Sequence, residues 1–149
     1  MPTKTELAKF LRKEFPQNKC SIDAVGKGSA TVRHPVGLAE LRPGGTVSGP
    51  VMMAATDVAL YIAILGEIGI VPLTVTTSLN INFLRKPAAD KDIIAVCKII
   101  KLGRTLAVGE VAIYSEGDPK MVAHATGTYA IPAKADALAA STSKRKITP

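Results

Sequence analysis

Residues 50–66 read Pro-Val-Met-Met-Ala-Ala-Thr-Asp-Val-Ala-Leu-Tyr-Ile-Ala-Ile-Leu-Gly, and Asp57 is the only charged residue among them. A helix that is apolar on every side is typical of a buried helix. A carboxylate in such a helix costs several kcal/mol unless it is paired, neutralised or beside a wet pocket. Asp57 is therefore a candidate catalytic residue. The alternative is a buried carboxylate satisfied by a neighbouring hydroxyl or backbone N–H.

The residues around this stretch mark where the helix begins. The preceding segment, residues 34–49, is rich in Gly and Pro, Ser48 or Gly49 is the expected N-cap, and Pro50 suits the first helical position. A short amphipathic helix is also predicted near the N-terminus. There, Thr3-Lys-Thr-Glu6 has the form of a capping box, and apolar residues follow at helical spacing.

After the long helix, apolar residues recur at every second position, which is typical of strands. Within residues 73–86 the predicted helix-facing set is Leu73, Val75, Thr77, Leu79, Ile81, Phe83 and Arg85. The opposite face would carry Thr74, Thr76, Ser78, Asn80 and Asn82. Further strands are expected at roughly 92–102, 104–114 and 120–131, after a weak strand near 29–33. Short links between consecutive strands predict an antiparallel meander.

The order of these elements predicts an α+β protein in which a curved antiparallel sheet wraps around one long central helix. A chain of 149 residues fits one domain. We expect residues 1–132, including the N-terminal helix, to form it, and 133–149, rich in Ala, Ser and Lys, to be a flexible tail.

One sheet cannot cover an all-apolar helix, so we expect a second copy of the chain to pack near Asp57, as a dimer or a dimer of dimers.

The composition excludes several classes of protein. A hydrophobic content of 47% is too high for a disordered chain, and with 4% aromatic residues and no Trp the core must be aliphatic. Cys20, Cys97, His34 and His124 have no metal-ligand spacing, so no metal site is predicted. Cys97 lies in an apolar run and is interpreted as a small buried hydrophobe.

The net charge of +7 is compatible with an anionic partner. Nucleic acid is not the expected partner, because the basic residues are not interleaved with stacking aromatics. The N-terminus lacks the apolar core of a signal peptide, and Thr56 and Asp57 interrupt a helix already short for a membrane span. We therefore expect a soluble, cytoplasmic protein without a membrane partner.

Five sequence features between residues 30 and 131 occur together. They are Gly45-Thr-Val-Ser-Gly-Pro-Val51, Asp57 nine positions after Ser48, Leu79-Asn-Ile-Asn-Phe-Leu-Arg-Lys-Pro-Ala88, Gly103-Arg-Thr-Leu-Ala-Val-Gly-Glu-Val111 and Val122-Ala-His-Ala-Thr-Gly-Thr128. In combination they resemble the hotdog-fold thioesterases of the phenylacetate-pathway (PaaI-like) type, which hydrolyse acyl-CoA thioesters. The resemblance implies a hotdog fold and an active site shared between subunits.

The resemblance also implies roles for three residues. Asp57 matches the family's helix carboxylate, which acts as nucleophile or as general base on water. Gly49 matches the residue whose backbone N–H polarises the thioester carbonyl, at a helix N-terminus that favours a developing oxyanion. Thr77 aligns with a strand hydroxyl that often orients the water. No metal or separate cofactor is implied, since CoA is part of the substrate.

Two departures from the family pattern affect the expected rate of hydrolysis. The family's His-Gly-Gly is Ser48-Gly49-Pro50 here, and the Asn usually found six positions before that His is Arg42. Pro50 has no N–H to donate. Arg42 could meet an anionic acyl group or CoA, or it could be an ordinary loop charge.

CoA requires cationic partners for its phosphates. The candidates are Arg85 and Lys86 at a strand end, and Arg104 beside Gly103 in a tight turn. His34, in the loop before the helix, is a candidate second polar group in the pocket.

The prediction is therefore a homo-oligomeric acyl-CoA thioesterase with Asp57, Gly49 and Thr77 in its catalytic site. A non-catalytic acyl-CoA binding or regulatory module is one alternative, because Ser48 and Arg42 replace the family's side chains. A hydratase or dehydratase of the same fold is the other; those enzymes pair a His with the acid, and His34 is the nearest histidine in sequence.

Overall fold

The computed structural model describes residues 1–133. Two helices, α1 (Lys4–Glu14) and α2 (Gly49–Ile68), pack against a six-stranded sheet. The strands of this sheet are β1 (Ser21–Gly26), β2 (Ser29–His34), β5 (Val75–Phe83), β6 (Ile93–Leu102), β7 (Leu106–Ser115) and β8 (Ala123–Ala130). A 3₁₀ helix (Leu38–Glu40) and a small ladder of β3 (Leu41–Arg42) and β4 (Thr46–Val47) precede α2. Of the predicted tail, only Ala133 lies among the described residues.

α2 is the central helix that the apolar stretch predicts. Ser48 is its N-cap, and it ends before Gly69, whose φ of 97° is a left-handed conformation that glycine adopts without strain. By length and composition it is the one helix of residues 1–133 that could cross a membrane, but most of it is buried inside the fold. Met53 and Ala54 are exposed, so the chain alone leaves one face near the start of α2 uncovered.

The strand order in the sheet is β1-β2-β6-β7-β8-β5, and every pairing is antiparallel. The predicted meander is correct for β6, β7 and β8 but wrong for β5, which pairs with β8 instead of β6. The β6–β7 link is a tight turn that forces its strands to be neighbours, whereas residues 84–92 are long enough to cross the end of the sheet. β5 is therefore an edge strand.

The sequence predicts one strand before α2, whereas the structure has two strands of the main sheet there, in addition to the small β3–β4 ladder. β1 and β2 form a hairpin, and Gly28 in its turn has a φ of 63°. β1 is the other edge strand, its register shifts between Ile22 and Ala24, and Ile22 is its one buried residue. That irregular, exposed pattern gives no clear alternation, which is why sequence analysis does not detect β1.

The inner face of the sheet and α1 cover α2 with small and aliphatic side chains. Alternate residues of β6 to β8 are buried there, including Ile93, Ala95, Cys97, Ala107, Val111, Ile113, Ala123 and Ala125. The interpretation of Cys97 as a buried hydrophobe is confirmed, and burial raises the pKa of its thiol to about 12. α1 buries Leu7 and Leu11, and the Thr3 hydroxyl accepts the Glu6 N–H at 3.2 Å, as the capping box predicts.

Candidate active site

Asp57 is only partly buried, and two side-chain hydroxyls bind its carboxylate. Thr76 donates to Oδ1 at 2.7 Å, and the Tyr129 hydroxyl lies 2.5 Å from the same oxygen. The Tyr129 hydroxyl is also 2.9 Å from the Asp57 carbonyl oxygen. Oδ2 has no hydrogen-bond partner within residues 1–133. One carboxylate oxygen is thus held by the protein, and the other is available to a reactant.

The hydroxyl that contacts Asp57 belongs to Thr76, which the predicted alternation assigns to the opposite face of the strand. That assignment is wrong because β5 has a bulge: its register with β8 shifts between Thr76 and Ser78. Thr76 pairs with Tyr129 and shares its inward side, and Thr77 is the extra residue. The Thr77 hydroxyl donates to the Thr128 carbonyl oxygen at 3.1 Å. A role for Thr77 in orienting water remains a prediction.

Tyr129 is not among the residues that the sequence predicts for the site. Alternation in β8 alone could have placed it on the buried face with Ala125 and Gly127, but its contact with Asp57 joins residues far apart in the chain. Burial, together with the negative charge of Asp57, raises the pKa of Tyr129 far above its ordinary value. Tyr129 therefore stays neutral and remains a hydrogen-bond donor at physiological pH.

The N-terminus of α2 provides two free amide groups. The Ser48 side chain makes no capping hydrogen bond, and the N–H groups of Gly49 and Val51 have no partner among the described residues. Pro50 between them has no N–H. Unpaired amides at the positive end of a helix dipole suit an anion or an oxyanion.

The loop before α2 is fixed by a buried carboxylate. Glu40 accepts the Gly37 N–H at 2.8 Å and a hydrogen bond from Lys19 at 3.3 Å. The Gly37 hydrogen bond and then Lys19 lower the pKa of Glu40. The backbone N–H of Ser48 donates to the Glu40 carbonyl oxygen at 2.9 Å, so this network supports the residue that caps α2.

A cleft of about 400 Å³ opens beside Gly49. Its lining includes three cations, Arg42, Arg85 and Lys86, and apolar side chains from Met52, Phe83 and Leu84. Phe83 lies over Gly49: a Cβ at Gly49 would be 3.2 Å from Phe83 Cζ. The cleft therefore brings the predicted Arg42, Arg85 and Lys86 together with Gly49.

The remaining predicted residues lie outside this cleft. Gly103 and Arg104 form the β6–β7 turn, at the end of the sheet where Leu106 pairs with Ala130 and Ala130 pairs with Val75. Arg85 follows the other end of β5, so one chain does not bring Arg104 and Arg85 together.

His34 is buried at the end of β2 and does not line the cleft. Its Nδ1 is 2.8 Å from the Pro35 carbonyl oxygen, so Nδ1 carries the proton and donates. His34 forms no hydrogen bond to Asp57, whose side-chain partners within residues 1–133 are Thr76 and Tyr129. The same range contains no cluster of three or more side chains that could hold a metal ion.

Comparison with known proteins identifies the family. The sequence model of the thioesterase superfamily matches residues 44–122, a segment that contains both Gly49 and Asp57. The chain belongs to the thioesterase superfamily. Its fold, an antiparallel sheet around one long helix, is the hotdog fold. No curated protein sequence matches the chain.

Solved structures agree with this assignment. A Silicibacter sp. TM1040 protein proposed to be a thioesterase is 45% identical, with 88% of this chain and 92% of that one covered and a TM-score of 0.82. The phenylacetic acid degradation protein PaaI of Thermus thermophilus, solved as a point mutant, is 25% identical over 83% of this chain and 99% of its own, with a TM-score of 0.68. Escherichia coli PaaI is 20% identical over 86% of this chain and 98% of its own, with a TM-score of 0.71, and it shares the fold. The predicted resemblance to PaaI-like hotdog proteins is confirmed.

Proposed function

We propose that this thioesterase-superfamily protein hydrolyses an acyl-CoA thioester to a free acid and CoA, in the cytoplasm and as a homo-oligomer. The observation that carries the proposal is the Asp57 carboxylate, which has one oxygen held by Thr76 and Tyr129 and the other free. A carboxylate in this state can attack the thioester carbonyl as a nucleophile, or it can take a proton from an attacking water.

Hydrolysis also requires stabilisation of the negative charge that develops on the carbonyl oxygen. The unpaired N–H of Gly49 supports that role, because it lies at the positive end of the α2 dipole and borders the cleft. However, Gly49 and Asp57 are more than two helical turns apart, a rise of about 12 Å. The two groups of one chain are too far apart to act on the same carbonyl, so each site needs a second copy.

The edge strand β5 supports a specific way for two copies to meet. Thr76, near one end of β5, contacts Asp57, and Phe83, at the other end, packs against Gly49. Antiparallel pairing of β5 with its copy brings the Asp57 end of one chain to the Gly49 end of the other. Val75 and Phe83 are exposed on this unpaired edge, as expected of a surface that another subunit covers.

The same pairing gives CoA a consistent set of cationic partners. Arg42, Arg85 and Lys86 line the cleft at the Gly49 end of β5, whereas Arg104 lies near the Asp57 end. The nine residues of β5 span about 26 Å, too far for these cations of one chain to share one phosphate group. In the proposed dimer, Arg104 of one subunit approaches Arg85 and Lys86 of the other.

A thiol-release assay over a panel of acyl-CoA esters tests the proposal. The native protein should release CoA from at least one ester, and Asp57→Asn should lower turnover by about two orders of magnitude or more while the protein stays folded. Glu67→Gln is the matched control, since it makes the same carboxylate-to-amide change on α2 outside the site, and it should remain active.

Two results would overturn the proposal. Tight binding of acyl-CoA without any release would favour the binding or regulatory module. Full activity of Asp57→Asn together with a lower melting temperature would show that Asp57 is a structural residue.

A further inference from the structure

Tyr129 contacts Asp57 at two points. It lies on the buried face of β8 and is 2% exposed, and its hydroxyl is 2.5 Å from Oδ1 and 2.9 Å from the main-chain oxygen of Asp57. A phenol has one proton to donate, so the two acceptors compete for it or share it. Because the hydroxyl lies within reach of both the side chain and the backbone of Asp57, it restricts rotation of the carboxylate.

Thr76 strengthens this restriction on the same oxygen. Its hydroxyl donates to Oδ1 at 2.7 Å from β5, whereas Tyr129 approaches from β8. Hydrogen bonds to a charged group are shorter and stronger than those between neutral groups. With Oδ1 fixed from two strands, Oδ2 has a defined direction.

The ring of Tyr129 is itself held in place. Its centroid is 6.1 Å from that of Tyr61 at an interplanar angle of 29°, and Tyr61 is 6.1 Å from Phe10 of α1. The Tyr61 hydroxyl donates to the Pro72 carbonyl oxygen at 3.0 Å. The Tyr129 ring is thus held by packing against the aromatic rings of α2 and α1, while the Tyr61 hydroxyl makes a separate contact with the loop that leads into β5.

We propose that Tyr129 is a positioning residue for the Asp57 carboxylate, holding Oδ1 so that Oδ2 faces the reacting carbonyl or its water. This inference rests on the proposed function, because it assigns the free oxygen to hydrolysis. Tyr129 does not touch the substrate and acts only through Asp57. Its hydroxyl stays protonated throughout the neutral range, because burial and the Asp57 charge raise its pKa.

The test is Tyr129→Phe, which removes the hydroxyl and keeps the aromatic ring against Tyr61. Loss of carboxylate orientation should lower kcat by about 10- to 100-fold, because small errors in the geometry of reacting groups have effects of that size. KM should change little, since no substrate contact is lost. Tyr61→Phe is the matched control: it removes the hydroxyl bound to Pro72 and should leave kcat near the native value.

A second measurement does not depend on activity. Melting temperatures of Tyr129→Phe, Asp57→Asn and the double variant form a thermodynamic cycle, and the two changes should be non-additive because the groups are in contact. Additive shifts in melting temperature would overturn the contact and the proposal with it.

The kinetic outcomes separate this proposal from the proposed function. If the native protein hydrolyses a thioester and Tyr129→Phe is equally fast, the positioning role is wrong and the thioesterase assignment stands. An equal loss of activity in Tyr61→Phe would also overturn the proposal, since it would show a general packing effect. If the native protein hydrolyses no ester, the proposed function is wrong, and the positioning role that rests on it is wrong too.

Discussion

Leu60 of α2 packs directly against the backbone of Gly127 in β8. A Cβ on Gly127 would overlap Leu60 Cδ1, and a Cβ on the paired Gly109 of β7 would lie only 2.7 Å from Leu60 Cδ2. The two glycines therefore form a gap in the inner face of the sheet that the Leu60 side chain fills. This contact sets how closely α2 lies against the sheet that carries Tyr129.

Gly127→Ala should destabilise the protein by about 1–3 kcal/mol, because the added methyl group overpacks a buried position. Leu60→Ala alone should also destabilise it, by about 2–5 kcal/mol, through the cavity it leaves. In the Leu60→Ala background the same glycine substitution should cost much less, since the clashing atoms are gone. Denaturant midpoints of the four proteins check this, and additive effects would contradict the contact between Leu60 and Gly127.

Stability should fall as the pH rises from about 9 towards 12, partly because of Cys97. Burial raises the pKa of its thiol to about 12 in the folded state from an ordinary value of 9.0. In this range the unfolded chain loses the thiol proton and the folded chain keeps it. One such group lowers the free energy of unfolding by about 1.4 kcal/mol per pH unit.

Cys97→Ala should therefore show a shallower decline of unfolding free energy over that interval, whatever its stability at pH 7. Cys20 and Tyr61, whose pKa values burial also raises to about 12, should preserve part of the slope. Unfolding by urea at a series of pH values measures the slope of unfolding free energy against pH. An unchanged slope in Cys97→Ala would show that this thiol is not protected in the folded protein.

The cations at the two ends of β5 should affect CoA esters selectively. Arg85→Ala and Arg104→Ala should each raise KM for an acyl-CoA ester by about tenfold, the effect of losing ~1.4 kcal/mol of binding energy. Both should also weaken the dependence of KM on salt. A pantetheine thioester lacks the nucleotide phosphates, so its hydrolysis should change little. Lys9→Ala, which removes an exposed charge from α1, is the control, and an equal loss on both substrates would indicate a folding defect.

Local patterns in the sequence were sufficient to predict the main elements. An apolar stretch predicts α2, period-two alternation predicts β5, and strand-like runs separated by turn residues predict β6 to β8, because these patterns lie within single elements. Asp57 could be identified for the same reason, since a single charge in a buried helix is visible without knowing its neighbours. The hotdog fold followed from these elements together with the motif resemblance.

The parts that sequence analysis missed depend on contacts between distant residues. The pairing of β5 with β8 is decided by where residues 84–92 cross the sheet. The bulge that turns Thr76 towards Asp57 is a defect in register with that neighbouring strand, so alternation along β5 alone assigns Thr76 to the wrong face. Tyr129 reaches Asp57 only once the sheet has folded around α2.

Complementation between inactive variants should reveal whether the site is shared between subunits. Asp57→Asn removes the carboxylate and keeps Gly49. Gly49→Val keeps Asp57, but its Cβ would lie 3.2 Å from Phe83 Cζ, and we expect the branched side chain to hinder access to the amide at the start of α2. If each site combines Gly49 of one subunit with Asp57 of the other, a mixed dimer of the two variants contains one intact site.

When equal amounts exchange subunits freely, half of the dimers are mixed. Each mixed dimer has one intact site of two, so activity should recover to about a quarter of the native value. Hydrolysis should be measured after the two variants are unfolded and refolded together, and mass spectrometry of intact dimers should verify the exchange. A mixture of Asp57→Asn with Asp57→Ala is the control and should stay inactive. Verified exchange without recovery would place both groups in one chain's site, a result that the separation of Gly49 and Asp57 along α2 argues against.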